Sequence, residues 1–216
     1  MNIRANAFTI RLQPAGATVT LLGLLLAGCN SPKPPVFDFT RLNADGSVYR
    51  GTGDYAQQPW ACVRDNQTTL VWEVKTAKPG LQYEKNTYTW YNPDENTNGG
   101  DAGKRDGGSC TGSRCDTESY KAAVNAKRLC GFSDWRLPQR VEVATIIDGS
   151  IFYPGPTIEI KYFPNTPAGS YWAETPFGSH ESGAWTWRFD YGYDYVAQKI
   201  EPLHVRLVRG TANIKK

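Results

Sequence analysis

Apolar and polar residues alternate with period two between positions 69 and 75. Leu70, Trp72 and Val74 interleave with Val71, Glu73 and Lys75, the pattern of a half-buried strand. Residues 60–63 read as the start of an earlier strand, and Tyr88-Thr89-Trp90-Tyr91 as another. After residue 116 the period lengthens. Ala122, Ala123, Ala126, Leu129 and Cys130 recur at helical spacing and share one face. Asp116 is placed to cap the first turn, and Gly131 suits the left-handed residue that ends a helix. Then comes Phe132-Ser133-Asp134-Trp135-Arg136-Leu137-Pro138. Pro138 holds its predecessor extended and opens a second helix. Val143, Ile146 and Ile147 supply that helix's stripe, and Glu142 is placed to help cap it. Trp135 and Leu137 point the same way, so both are expected in the core, with Arg136 pairing to a buried carboxylate or to carbonyls.

The second half is strand-like. Tyr171-Trp172-Ala173-Glu174 is one strand. Trp185, Trp187 and Phe189 alternate with Thr186, Arg188 and Asp190 on the next, and the tryptophans are expected inward. Tyr191-Gly192-Tyr193 turns the chain, and residues 195–200 return. Leu203, Val205 and Leu207 form the inner face of a last strand. Residues 149–167 are a long loop with four prolines, pinned to the core by Tyr162-Phe163-Pro164. Two helices followed mostly by strands make an α+β fold. Trp72, Trp135, Arg136, Leu137, Pro138 and Trp185 are its expected framework.

Residues 92–109 are rich in Asn, Asp and Gly and almost free of apolar side chains, so they form a loop. Asp94-Glu95-Asn96-Thr97-Asn98-Gly99 matches the first half of a calcium loop, but the twelfth position is Arg105 where a bidentate Glu is needed. No cofactor is therefore expected, and calcium is the one ion this loop brings to mind. Cysteines 62, 110, 115 and 130 form an even set with three open connectivities. Cys110 and Cys115 flank a turn and make a natural local loop. Cys130, on the inner helix face, is left to meet Cys62 on the neighbouring sheet. His180 and His204 show no ligand spacing with the cysteines, which disfavours zinc.

The first residues read as a targeting segment. Arg4 and Arg11 precede an apolar run ending in Leu26-Ala27-Gly28-Cys29, which resembles the lipobox of bacterial lipoproteins. This predicts a signal peptide over 1–28 and acylation of Cys29, including palmitate. The partner of the anchor is the lipid bilayer, and several acyl chains hold firmly where one is marginal. Asn30 implies sorting to the outer membrane of a Gram-negative cell. Residues 29–59 are a lipidated tether, Pro-rich at 31–35, and 60–210 the domain. Cleavage lowers the formal charge from +3 to +1, since only Arg4 and Arg11 are lost. A nearly neutral surface offers nothing to nucleic acid.

Asp134-Trp135-Arg136-Leu137-Pro138, the run Thr69-Leu70-Val71-Trp72-Glu73-Val74-Lys75, Tyr171-Trp172, Ala184-Trp185 and Val205-Arg206-Leu207-Val208-Arg209 resemble, in order, a bacterial family named after the C-terminal domain of the Legionella collagen-like adhesin. Gln139 stands where that family usually has a better N-cap such as Thr. Arg136-Leu137-Pro138 and the closing run also resemble formylglycine-generating-enzyme domains, which implies a C-type-lectin-like fold with helices on small twisted antiparallel sheets. The family's adhesin binds sulphated glycans through a basic surface and trimerises with a collagen-like stalk. This sequence shows no such stalk and almost no net charge, so neither property is carried over.

No nucleophile–base pair, phosphate loop or complete metal motif appears, so no catalytic residue is assigned. The expectation is a cell-envelope lipoprotein with a non-catalytic, adhesin-like ligand-binding domain, its partner a glycan or an envelope protein. The alternatives are an enzyme of formylglycine-generating type, which needs two free cysteines, and a structural envelope subunit. A ligand is expected to meet Trp172, Glu174, Arg188, Tyr191, Tyr193 and Asp194, with the Asp94 loop adding polar groups. Cys29→Ser is expected to leave the protein unacylated and either uncleaved or soluble; membrane fractionation showing unchanged acylation would sink the lipoprotein reading.

Overall fold

Two antiparallel sheets organise the computed structural model, which describes residues 36–213. The expected signal peptide, Cys29 and the start of the tether lie outside the described residues. The strands are β1 (Phe39–Leu42), β2 (Cys62–Asp65), β3 (Val71–Glu73), β4 (Ser170–Pro176), β5 (Gly183–Arg188), β6 (Tyr193–Gln198) and β7 (Val208–Arg209). One sheet runs β1-β2-β3-β7 and the other β4-β5-β6. The helices are α1 (Thr117–Ala126) and the single turn α2 (Arg140–Val143). This is an α+β fold. β1 corrects the tether boundary: it pairs with β2 from Phe39↔Asp65 to Leu42↔Cys62, so the folded body begins before residue 60. Thr40 and Arg41 at its centre hide so short an edge strand from a search for alternation.

β3 separates two cores. Leu70, Trp72 and Val74 enter one, with Phe39, Val63 and Phe163. Val71 enters the other, with Cys62, Tyr120, Trp135 and Leu207. Glu73 and Lys75, expected on a solvated face, are fully buried. Opposite charges make that burial tolerable. Lys75 Nζ donates to Glu73 Oε1 at 2.9 Å and to the Tyr120 hydroxyl at 2.9 Å. Glu73 also accepts from the Tyr120 hydroxyl and, at 2.9 Å, from the Leu207 N–H.

Asp116 caps α1, accepting the Ser119 N–H at 2.8 Å. The buried face differs from the alanine face predicted: it carries Thr117, Tyr120 and Val124, while Ala122 and Ala126 are exposed. A methyl group has little surface to remove from water, so the tyrosine and valine set the helix's rotation. The helix also stops earlier than Gly131. Arg128 and Cys130 both take left-handed backbone, with φ of 51° and 52°, and Cys130 sits in a 3₁₀ turn rather than on the helix. From there it bonds Cys62, and Cys110 bonds Cys115. Asn125 ends the docking of the helix by accepting the Trp135 N–H at 2.7 Å and donating to its carbonyl at 2.9 Å.

The second helix is likewise shorter than its stripe, passing into a 3₁₀ turn at Ala144–Ile146. Glu142 accepts the Gln139 N–H at 2.8 Å and both Nη atoms of Arg136 at 2.7 Å. Arg136 also donates to Gly210 O at 2.8 Å, joining α2 to the chain beyond β7. Tyr88-Thr89-Trp90-Tyr91 and residues 203–207 are extended without being continuous strands. Tyr88 bridges Leu203, Thr89 bridges Asp116 and Tyr91 bridges Gly103, so each partner comes from a different segment.

On the β4-β5-β6 sheet, Trp172 lies opposite Thr186 and Thr186 opposite Tyr195. The Trp172 indole donates to Tyr88 O at 2.7 Å and that of Trp90 to Ala173 O at 3.0 Å. These two rings fill the inner space, so β5 turns its small side chains, Ala184 and Thr186, inward. The predicted phase of β5 is therefore reversed: Trp185 and Trp187 face the other way, where α2 covers them only in part.

Glu73→Ala is expected to cost about 3–5 kcal/mol, because it leaves the Lys75 ammonium buried without its counter-charge. Glu73→Met with Lys75→Met should cost clearly less, since neither charge is left alone. Urea unfolding of both variants decides: equal losses would mean that the charges are not what holds this strand.

Candidate functional site

Trp172 cannot meet an external ligand: it has no exposed surface and its indole N–H is spent on Tyr88. The other five expected ligand residues fall at two places on the β4-β5-β6 sheet. Arg188, Tyr191, Tyr193 and Asp194 lie around the β5–β6 turn, where Gly192 takes a φ of 76° that suits glycine. Glu174 lies towards the far end of β4, beyond Trp172.

At the turn the side chains form an aromatic face. Tyr191 stacks on Tyr153 with ring centres 4.7 Å apart and planes 22° from parallel, and Tyr193 lies 5.9 Å from Tyr191. The Arg188 guanidinium sits 4.7 Å from the Tyr191 ring centre and pairs with Asp190. Tyr153, Tyr191 and Tyr193 are nevertheless 63%, 49% and 48% exposed. Asp194 pairs with Arg140, whose guanidinium lies 3.6 Å over the Trp185 ring. Trp185 is thus not a core residue but a half-buried one under an arginine, with Phe177 edge-on at 5.5 Å. Tyr153 was not among the expected residues. It lies in the proline-rich loop, whose contacts have no periodicity to betray them.

Glu174 and Asp94 do share a site. Both line a cleft of about 360 Å³ with Tyr91, Thr97, Glu118 and Lys121 at its sides and Trp90 and Leu137 among its apolar groups. Burial, opposed by Arg136 and Lys121, raises the Glu174 carboxyl above its usual pKa. The Asp94 loop is ordered by its own bonds: Asp94 accepts from the Asn96 N–H and Nδ2 and from the Thr97 hydroxyl, each at 3.0 Å. These bonds hold the Asp94 carboxyl below its ordinary range. Under the loop, the buried Lys199 ammonium donates to Asn98 O at 2.8 Å, to Asp101 O at 2.6 Å and to Glu181 O, 4.5 Å from the Trp90 ring centre. The backbone oxygens of the half-matching calcium loop thus face a lysine. Among the described residues, no three His, Cys, Asp or Glu side chains are grouped to hold a metal.

All four described cysteines are in disulfides, Cys62 with Cys130 and Cys110 with Cys115. His180 is exposed in its loop. His204 is half-buried, with Nδ1 3.1 Å from Asn86 O; the carbonyl can only accept, so this nitrogen carries the proton.

The chain is thus a mixed α+β domain, stapled by two disulfides, that presents an aromatic face and a polar cleft. Residues 61–209 match the family model of the Lcl C-terminal domain, and the chain belongs to that family. No curated protein and no solved structure matches it.

Burial depresses the His204 pKa below its usual 6.5, against the bond to Asn86. Between the folded and unfolded values, the unfolded chain binds more protons, so stability is full above about pH 6.5 and is lost as pH falls towards the folded value. His204→Gln is expected to flatten this limb. Melting curves across that window check it, and an unchanged slope would show that His204 does not drive the loss.

Proposed function

We propose that the protein is a lipid-anchored component of the bacterial cell envelope whose adhesin-like domain binds a glycan without transforming it. The reading extends to a C-type-lectin-like fold and to an outer-membrane location through Cys29. The observation that carries the binding role is the Tyr153–Tyr191–Tyr193 face: two rings stacked and a third tilted 42° beside them, yet about half in water. Aromatic rings stabilise a fold by leaving water. Rings that stay exposed on a braced turn are arranged for something else, and the apolar face of a sugar ring is a partner of matching shape and chemistry. Two small sheets, long loops, and first and last strands in one sheet support the lectin-like reading.

Charge narrows the ligand. Arg188 is paired with Asp190 and Arg140 with Asp194, so neither arginine at this face offers uncompensated positive charge. The face therefore suits neutral sugars better than sulphated ones. A glycan array at physiological salt with the soluble domain, residues 31–216, is expected to return neutral glycans. Tyr191→Ala and Tyr153→Ala should each weaken the best of them about tenfold, which is about 1.4 kcal/mol, while melting as wild type. Wild-type binding by both variants would place the site elsewhere.

A further inference from the structure

The cleft between β4 and the Asp94 loop holds a carboxylate that no described residue bonds. The Thr117 hydroxyl donates to Tyr91 O at 3.0 Å and accepts the Tyr91 N–H at 2.9 Å. Asn92 accepts the Asp94 N–H and donates to Thr97. Glu118 and Lys121 pair with each other at 2.6 Å. The Asp94 carboxylate takes three donors from its own loop. Glu174 is different. Its side chain makes no hydrogen bond to any described residue, although it is half-buried. The cations that act on it, Arg136 and Lys121, are each bonded to another carboxylate, Glu142 and Glu118.

Its backbone is nevertheless held firmly. The Glu174 N–H donates to Pro138 O at 2.7 Å. The register of β4 against β5 shifts between Trp172 and Pro176, a bulge that re-aims the side chains within it. A half-buried carboxylate set on a bulge and bonded by no described residue is free to receive a donor that enters the cleft.

We propose that this cleft binds a protonated primary amine carried on a short aliphatic chain, with Glu174 as the receiving carboxylate. Glu174 and Asp94 are the lining charges that no cation side chain bonds, so the field in the cleft is negative and a neutral hydroxyl would leave it uncompensated. Concave walls concentrate that field. Tyr91 and Pro93, with the edge of Leu137, give the aliphatic part apolar surface, and about 360 Å³ admits a chain of a few carbons. Such an amine comes either as a free diamine or as the end of a lysine side chain, and the chemistry of recognition is the same. This site is independent of the tyrosine face.

Calorimetric titration of the full-length chain in detergent, with cadaverine as the free amine and Nα-acetyl-lysine methylamide as the side-chain amine, tests the proposal. Saturable binding of either is expected, with Kd in the range of about a millimolar or tighter. Which one binds better identifies the source. Glu174→Gln, which keeps the shape and removes the charge, should weaken binding about tenfold or more. Lys121→Met, which removes the cation that competes for this field, should tighten it; a merely structural Glu174 would produce no such gain. Tight binding of 1,5-pentanediol, unchanged affinity in Glu174→Gln, weaker binding in Lys121→Met, or no saturable binding of either amine would overturn it.

Discussion

Glu73 is a carboxylate with no exposed surface, and the pieces of the fold meet on it. It lies on the central strand β3, takes the ammonium of Lys75 and the hydroxyl of Tyr120 from α1, and accepts the N–H of Leu207 from the chain leading into β7. Its own carbonyl accepts Arg206 Nη1 at 2.6 Å, and Nη2 of that arginine reaches the Thr166 hydroxyl at 2.7 Å. Burying charges is unfavourable by itself, and their mutual attraction offsets the loss only when the geometry is good. Here each oxygen of Glu73 has a donor. Burial pushes the Lys75 pKa down and Glu73 pulls it back up. Burial and Glu73 together push the Tyr120 hydroxyl well above its ordinary pKa, so that it remains a donor. With every oxygen of Glu73 engaged and only the Arg206 Nε at the edge of the network left without a described partner, few alternative packings are tolerated. The network determines which side of α1 turns inward and where the C-terminal segment crosses β3.

The same device recurs wherever a loop must be held. Lys199 joins carbonyls of residues 98, 101 and 181 with one ammonium. Arg136 joins Glu142, Leu137 O and Gly210 O. In a chain with so much irregular backbone, cations buried against carbonyls supply the partners that a sheet ladder would otherwise give. The disulfides act beside them: Cys62–Cys130 closes 68 residues and ties β2 to the turn after α1. Rigid support of this sort is what loops need before they can recognise anything.

Legibility in the sequence followed the locality of the forces. The cap at Asp116 and the Glu142 bond to Gln139 act over three residues, and spacing revealed both. The cysteine pairing followed from a short turn and elimination. The phase of β5 did not, because W-T-W alternates equally well either way, and the choice fell to the bulk of Trp90 and Trp172 from distant segments. The burial of Glu73 and Lys75 was hidden for the same reason: a charged pair on alternate positions looks like a solvated face until Tyr120 and Leu207 are brought to it. The candidate site was half legible. The strands that carry it were readable, but Tyr153 and the cleft beside Glu174 depend on loops folding back.

The β4 bulge separates two surfaces that the sequence merges into one. Before it, β4 runs in register with β5, and Tyr171 lies opposite Trp187, whose indole N–H donates to Arg140 O at 2.8 Å. Arg140 thus closes that end of the sheet, stacked on Trp185 and paired with Asp194, and the surface beyond it is aromatic with its arginines paired. Within the bulge Glu174 is turned towards the Asp94 loop, where carboxylates outnumber ammonium groups. Had β4 continued in regular register, the alternation of its side chains would have run unbroken past Trp172. One irregular peptide stretch on a single strand thus gives a small sheet both an aromatic face of paired charges and a negative cleft.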